Sequence, residues 1–450
     1  MTRLFGTDGV RGVANQEITA ELAYQLGKAA TYYFGQTVER PKIVIGRDTR
    51  VSGMMLEAAL AAGVCSAGGE ALMLGVAPTP GIAFLTKELG AQAGVVLSAS
   101  HNPFQDNGIK FFSSTGYKLP DQVEDELERI IQEGVENLPR PIGDKIGEII
   151  LIENELSLYE EYLKKTISTT LEGIKVVLDC SNGASFKIAP VLYRTLGAEV
   201  IALSNEPTGI NINDHCGSTH LEKLQKAVVE HKAHIGIAHD GDADRCLAIT
   251  EEGRVVDGDR IMLLCALLLK EQGLLTDNKV VATVMSNLGF HQAARNYDLN
   301  LEIASVGDRY VLEMMKEKNA CLGGEQSGHI IFGNLSTTGD GILTGLQLLA
   351  ALKESGKKMS ELSELMVDFP QILVNVRVTD RKAWETNDRI QEAIGIAEKK
   401  LGENGRILVR PSGTEPLLRI MAEGPSQDEL EELIHHIAEI TRQEIGEIDG

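Results

Sequence analysis

The segment HDGDADRC, residues 239–246, carries carboxylates at alternate positions: Asp240, Asp242 and Asp244. On a loop that spacing can aim three hard oxygen ligands at one cation, and three carboxylates leave coordination positions open for a phosphate-bearing ligand. Without a cation the cluster repels itself unless a neighbour such as Arg245 compensates. An EF-hand is the rival, since Glu251 falls at position 12 counted from Asp240. Position 6 of that loop must be glycine, however, and here it is Arg245. The flanks HIGIA and CLAIT also have the character of strands rather than helices. A magnesium-type site is the expectation, with a solvated acidic turn as the other alternative.

Further segments carry reactive or ligand-binding side chains. LSASHNPFQDNGIK, residues 97–110, places Ser100 beside His101. The pair suggests a nucleophile, yet catalytic partners normally meet through the fold rather than along the chain. A turn in which Pro103 ends a strand explains the dipeptide equally well. Lys110 can act as a general base if burial or neighbouring cations depress its pKa. In RPSGTEP, residues 410–416, Arg410, the hydroxyls of Ser412 and Thr414, and backbone N–H groups around Gly413 form a phosphate nest, with Arg419 as a second guanidinium. An ordinary Pro/Gly hairpin turn accounts for the same residues. The segment is not a P-loop, which ends in Gly-Lys-Ser/Thr before a helix. GGEQSGH, residues 323–329, offers Glu325, Ser327 and His329 among glycines, a set suited to sugar hydroxyls, although Gly-rich turns are common.

Other candidates have plainer explanations. TTGDG, residues 337–341, reads as a helix N-cap at Thr338 or Asp340. Arg11, Arg47, Arg50 and Arg309 each read, taken alone, as surface ion pairs. His215, His220, His231 and His234 show no paired metal spacing beside a carboxylate and are expected to be structural or solvent-facing.

The elements that must position these loops repeat along the chain. KIVIGRDTR from 42, KVVLDCSNG from 175 and KVVATVMSN from 279 each open with lysine and a β-branched strand. In each case a helical stretch, a second strand (EALMLGV, AEVIALS, LEIASVG) and a third strand-like segment follow. Short apolar runs alternating with helical patterns indicate buried parallel strands in βαβ units. In each repeat a polar loop, that of Ser100, of Asp240 or of Glu325, follows the third strand, and ligands of parallel α/β sheets sit outside the carboxyl ends of strands. The last eighty or so residues read as β-α-β-β-α, with a helix from Arg381 to about Leu401. The expected fold is therefore α/β: three related α/β domains with mixed, mostly parallel sheets plus a C-terminal α+β domain, arranged around a central cleft. The domains are expected at 1–153, 154–252, 253–367 and 368–450.

Composition bounds the partners. The net charge of −22, from 43 basic and 65 acidic side chains, disfavours nucleic acid and anionic membrane surfaces. No apolar run approaches the roughly 18 residues needed to span a bilayer, and the first residues show no signal-peptide pattern. Six cysteines without a C-x-x-C pair suggest reduced, mostly buried thiols and a cytoplasmic location.

In order along the chain, GTDGVRG, SASHNP, NGIK, DGDADR, GEQSGH and RPSGTEP resemble the motifs of the α-D-phosphohexomutase superfamily, and the resemblance covers essentially the whole sequence. FGTDGVRG and GEQSGH are similar to the bacterial branch acting on glucosamine phosphates, with the phosphomannomutase/phosphoglucomutase branch as the alternative. The resemblance implies an isomerase-class phosphotransferase interconverting glucosamine 6-phosphate and glucosamine 1-phosphate through glucosamine 1,6-bisphosphate, feeding UDP-N-acetylglucosamine and cell-wall precursors. It implies that Ser100 carries the phosphoryl group, and that Asp240, Asp242 and Asp244 hold one Mg²⁺ with an oxygen of phosphorylated Ser100. Glu325 and Ser327 would bind sugar hydroxyls. Arg410, Ser412, Gly413, Thr414 and Arg419 would grip the non-reacting phosphate, and Arg11, His101, Lys110, Arg245 and His329 would line the reacting end. A homodimer is left open. A Mg²⁺-dependent phosphatase and a non-catalytic sugar-phosphate-binding regulator are the competing classes.

Overall fold

A computed structural model describes residues 3–6, 8–411 and 416–446. The chain divides into two compact units. The first comprises the described residues up to Met285 together with Tyr297–Leu365, and the second Ser286–Asn296 with the described residues from Met366 onward.

The first unit repeats one sheet plan three times. In the first repeat β1 (Val10–Val13) precedes β2 (Lys42–Arg47), β3 (Glu70–Val76), β4 (Ala93–Leu97), β5 (Asp106–Ser113) and β6 (Ile149–Leu151). The second has β7 (Lys175–Asp179), β8 (Glu199–Leu203), β9 (Ile235–His239), β10 (Cys246–Thr250) and β11 (Val255–Val256). The third has β12 (Lys279–Thr283), β13 (Asn300–Ala304), β14 (Leu322–Gly324) and β15 (Ile330–Phe332). The sheets run β1-β5-β4-β2-β3-β6, β11-β10-β9-β7-β8 and β13-β12-β14-β15. Each therefore contains the same four-strand core, with the first three strands parallel and the fourth antiparallel to the third.

The apolar runs have a direct cause. In the first sheet Ile43, Ile45, Val95 and Leu97 pack on one face against Leu26, Leu56 and Leu60. On the other face Val44, Leu72 and Val96 pack against Ile82 and Leu85. A strand covered on both sides cannot alternate polar and apolar residues. Full burial of each such side chain is worth roughly 1.5–3 kcal/mol. β4 and β9 are buried at every position, so the hairpin loops that follow them leave rigid strands.

The second unit carries an antiparallel sheet of β16 (Gln371–Arg377), β18 (Leu417–Glu423) and β17 (Arg406–Pro411), in that order. Helices Asp388–Leu401 and Gln427–Ile445 cover it through Ile390, Ile394, Leu430, Ile434 and Ile437. The helix expected from Arg381 starts seven residues later. Asn387 caps it by accepting the Ile390 N–H at 3.1 Å, and Ala383–Thr386 forms a separate 3₁₀ turn. Among the described residues no helix is long and apolar enough to cross a membrane.

Candidate active site at three hairpin loops

Three equivalent turns, each joining the third strand of a repeat to its antiparallel fourth, meet in the first unit: residues 98–105, 240–245 and 325–329. Ser100 lies in the first, fully inside the left-handed region at φ +50°. Its Oγ donates to Asp240 Oδ2 at 2.6 Å, while His101 Nδ1 is 3.4 Å away. The serine's shorter hydrogen bond is therefore to the carboxylate loop of the second repeat, with the longer contact to its sequence neighbour. Gly241 permits the approach, because a Cβ there would lie 2.5 Å from the Ser100 carbonyl oxygen. The third loop is joined to the second through backbone: Cys246 N–H donates to Gly328 O at 3.0 Å, and Arg245 bridges to His329.

Asp240, Asp242 and Asp244 are all buried, with one oxygen from each lying within 4.8 Å of the others. Thr79 Oγ1 and Lys110 Nζ donate to Asp242 Oδ2 at 2.7 and 3.0 Å, and the Arg245 N–H donates to Asp240 Oδ1 at 3.1 Å. Asp242 Oδ1 and Asp244 Oδ1 are buried without a hydrogen-bond donor. Burial and the other two carboxylates push Asp240 well up from the ordinary carboxylate pKa, and burial and Asp242 push Asp244 up. Burial opposes the charge on Asp242 as well, yet Lys110 and Thr79 hold that group below its ordinary value. Three buried carboxylates with converging oxygens, two of them each keeping an oxygen without a donor, fit a divalent cation. Glu251, the would-be twelfth EF-hand ligand, instead accepts from the Ser360 backbone N–H at 3.0 Å and its hydroxyl at 2.5 Å.

The loops open into a cavity of about 430 Å³ lined by Arg11, Ser100, His101, Lys110, Asp244, Arg245, Glu325, Ser327 and His329, among others. Its wall is cationic beside the triad. The Nε atoms of Arg11 and Arg245 are buried without acceptors, as are both ring nitrogens of His329 without partners. Burial, with Arg245 and Arg11 nearby, lowers the His101 pKa to about 4. Glu325 Oε1 accepts the Gly307 N–H at 3.0 Å. In the second unit Arg410 and Arg419 stand directly opposite each other across β17 and β18, and Arg419 Nε is buried without an acceptor. Ser412, Gly413 and Thr414 lie outside the described residues.

Two expectations change. Lys110 is not depressed: burial opposes its charge, but Asp242, Asp244 and Asp8 outweigh burial and hold the ammonium above its ordinary pKa. Arg50 is no surface ion pair, since its side chain is fully buried against Asp48. Arg47 and Arg309 do form ion pairs, with Glu57 and with Asp121 and Glu313. Asp340 caps helix Gly341–Ser355 by accepting the Leu343 N–H at 2.9 Å. His215, His220, His231 and His234 are solvent-exposed. Thr79 and the Asp8–Lys118–Asp308 bridge, with 2.6 Å on each side of the ammonium, went unread in the sequence. Of these residues only Asp8 lies within a motif named above, GTDGVRG, and Asp308 directly precedes Arg309.

The four family models that match describe phosphoglucomutase/phosphomannomutase: alpha/beta/alpha domain I over residues 2–138, domain II over 157–253, domain III over 257–369, and the C-terminal domain over 373–440. The chain belongs to this phosphohexomutase family and is a mutase. The phosphoglucosamine mutase of Heliobacterium modesticaldum is 53% identical over 459 residues, spanning 98% of this chain and 100% of the relative. Seven further curated relatives with the same name are 51–56% identical, so within the family the chain belongs with the phosphoglucosamine mutases. Among solved structures, a phosphoglucomutase/phosphomannomutase family protein of Burkholderia thailandensis superposes with a TM-score of 0.82 at 22% identity, over 98% of both chains. The N-acetylphosphoglucosamine mutase of Aspergillus fumigatus, in complex with GlcNAc-6P and magnesium, superposes at 0.69 and 20% identity, over 98% of this chain and 95% of that one. At these identities the structures speak to the fold.

Proposed function

We propose that the protein interconverts glucosamine 6-phosphate and glucosamine 1-phosphate, with phosphorylated Ser100 as donor and glucosamine 1,6-bisphosphate as intermediate. The observation that carries this reading is the Ser100 Oγ, 2.6 Å from Asp240 in a buried triad of aspartates, at the edge of a cavity that Arg11, Lys110 and Arg245 also line. Asp240, Asp242 and Asp244 would hold one Mg²⁺ with an oxygen of phosphorylated Ser100, and the relatives' name and the magnesium in the Aspergillus enzyme support the choice of sugar and ion. When bound, that ion supplies charge neutralisation at the transferring phosphoryl group.

Phosphoryl transfer asks the protein mainly for positioning and charge. The bond from phosphorus to Ser100 Oγ breaks as one to the sugar hydroxyl forms. The proton that the hydroxyl loses equals the one Oγ regains, so the cavity wall has only to relay it. Lys110, which donates to Asp242 Oδ2 at 3.0 Å, lines the reacting end beside Ser100. Arg11 and Arg245 face the phosphoryl oxygens, His101 and His329 line the same end, and Glu325 and Ser327 orient sugar hydroxyls. Arg410 and Arg419, with Ser412, Gly413 and Thr414, hold the phosphate that does not react. The bisphosphate then turns over and returns its other phosphate to Ser100.

Enzyme carrying ³²P on Ser100 tests this directly. With glucosamine 6-phosphate, label should appear in the bisphosphate and then in glucosamine 1-phosphate. Free phosphate would identify a phosphatase, and retained label a regulator. A clear kcat/KM preference for mannose or glucose phosphates would move the chain to the phosphomannomutase/phosphoglucomutase branch.

The assembly we infer is a homodimer in the cytoplasm, where the six free thiols, five of them buried, stay reduced. β6 is a sheet edge with Ile149 and Leu151 56% and 74% exposed. Glu148 O and Ile152 N bond to β3, so by alternation the backbone groups of Ile149 and Leu151 face outward. An antiparallel copy of the same strand would exchange Ile149 with Leu151 about a two-fold axis, closing both edges. Light scattering should give twice the chain mass, and Leu151→Pro, which removes one outward N–H, should halve it. A monomeric wild type would refute the assembly.

A further inference from the structure

Both backbone ends of Ser100 terminate on one buried ion pair. The Ser100 N–H donates to Ser98 Oγ at 2.9 Å, and Ser98 Oγ donates to Asp48 Oδ2 at 2.6 Å. Arg50 Nε donates to that same Oδ2 at 2.9 Å, and Arg50 Nη2 donates to the Ser100 carbonyl at 3.0 Å. The ring closes around a single residue, and the side chains of Arg50 and Asp48 are 0% exposed. The same guanidinium also reaches Asn102 O at 2.9 Å and Pro103 O.

A second donor comes from the second repeat. Asn213 Nδ2 donates to Ser100 O at 2.8 Å and to Asn102 O at 3.0 Å, so one amide and one guanidinium nitrogen straddle the same two carbonyls. Asn213 is itself held by its backbone N–H, which donates to Ser181 O at 2.9 Å, and is 8% exposed. A non-glycine residue at φ +50° persists only where its surroundings over-determine it. Here they do, and the Cα–Cβ bond is thereby turned so that Oγ meets Asp240 rather than lying against its own turn.

We propose that Arg50 and Asn213 are positioning residues for phosphoryl transfer: a clamp that locks the Ser100 backbone in the left-handed conformation and so aims Oγ at the metal loop. This rests on the reading of Ser100 as the phosphoryl carrier. Neither residue lines the cavity, so neither touches the sugar. Because Asn213 belongs to the second repeat and Arg50 to the first, the aim of Oγ depends on the docking of those two sheets. A misplacement of about 1 Å at a reacting atom can cost on the order of 10²-fold in rate, which sets the scale for losing part of the clamp.

The test uses the full-length enzyme with Asn213→Ala, Arg50→Lys and Ser100→Ala. Arg50→Lys keeps the charge but loses the fork. Asn213→Ala leaves the buried ion pair intact and guards against a simple folding failure. In Asn213→Ala, the single-turnover rate of Ser100 phosphorylation by glucosamine 1,6-bisphosphate and kcat should fall together by about tenfold or more. KM for the sugar phosphate and the Mg²⁺-induced rise in melting temperature should stay at the wild-type level, a split that a merely structural role would not produce. Transfer rates within twofold of wild type in both clamp variants, beside an inactive Ser100→Ala, overturn the clamp alone. Turnover by Ser100→Ala overturns the carrier reading and the clamp with it.

Discussion

Ser100→Ala is expected to lower kcat by about 10³-fold or more while leaving a folded protein that still binds sugar phosphate. Covalent carriers have no substitute in the chain, and removing such a group in other enzymes costs several powers of ten. Here the substitution deletes one atom. The losses are the donation to Asp240 Oδ2 and the longer contact with His101 Nδ1 at 3.4 Å, and Asp240 keeps the Arg245 backbone N–H on its other oxygen. A net cost of about 1 kcal/mol in stability is in proportion to one such bond. The Arg11 and Arg245 wall is untouched, so calorimetric binding of glucosamine 6-phosphate should change by only a few-fold. Incubation with labelled bisphosphate should leave the variant unlabelled. Activity near that of the wild type would end the phosphoserine assignment, whatever the fold relationship.

The parts of this site that were legible in the sequence are those whose chemistry sits within one loop. HDGDADRC displays its three carboxylates side by side, and the repeated Lys-plus-β-branched strands announce buried parallel sheets because both faces are covered. From the repeat alone, equivalent loops could be expected to converge, since the same four-strand core is built three times. The clamp was not legible. Arg50 in GRDTR looks like any surface arginine until burial against Asp48 is known, and Asn213 is 113 residues from the carbonyl it holds. Lys110 misled for a related reason. Its pKa depends on which charges surround it, and the carboxylates that dominate come from a loop more than 130 residues away. Long-range electrostatics has no local signature in a chain.

Asp244→Asn separates the metal reading from a merely acidic loop, and its expected result has two opposite signs. Asp244 Oδ1 is buried without a donor among the described residues, and the other oxygen lies 3.8 Å from His329 Nε2 and 4.0 Å from Lys110 Nζ. Burial and the neighbouring Asp242 both disfavour its charge. An isosteric amide removes that repulsion, so the metal-free variant should melt no lower than the metal-free wild type. With Mg²⁺ the order reverses. At a concentration 100 times the dissociation constant, bound metal stabilises a protein by about 2.7 kcal/mol. If losing one of three carboxylates weakens binding about 100-fold, the same concentration supplies only about 0.4 kcal/mol. The Mg²⁺-induced rise in melting temperature should therefore nearly vanish, and kcat should fall by about 10²-fold or more as charge neutralisation at the transferring group is lost. An acidic loop with no metal to hold predicts the reverse pattern: no Mg²⁺-induced shift in the wild type, hence none to lose. An undiminished shift in the variant would remove Asp244 from the ligand set while leaving Asp240 and Asp242 in place.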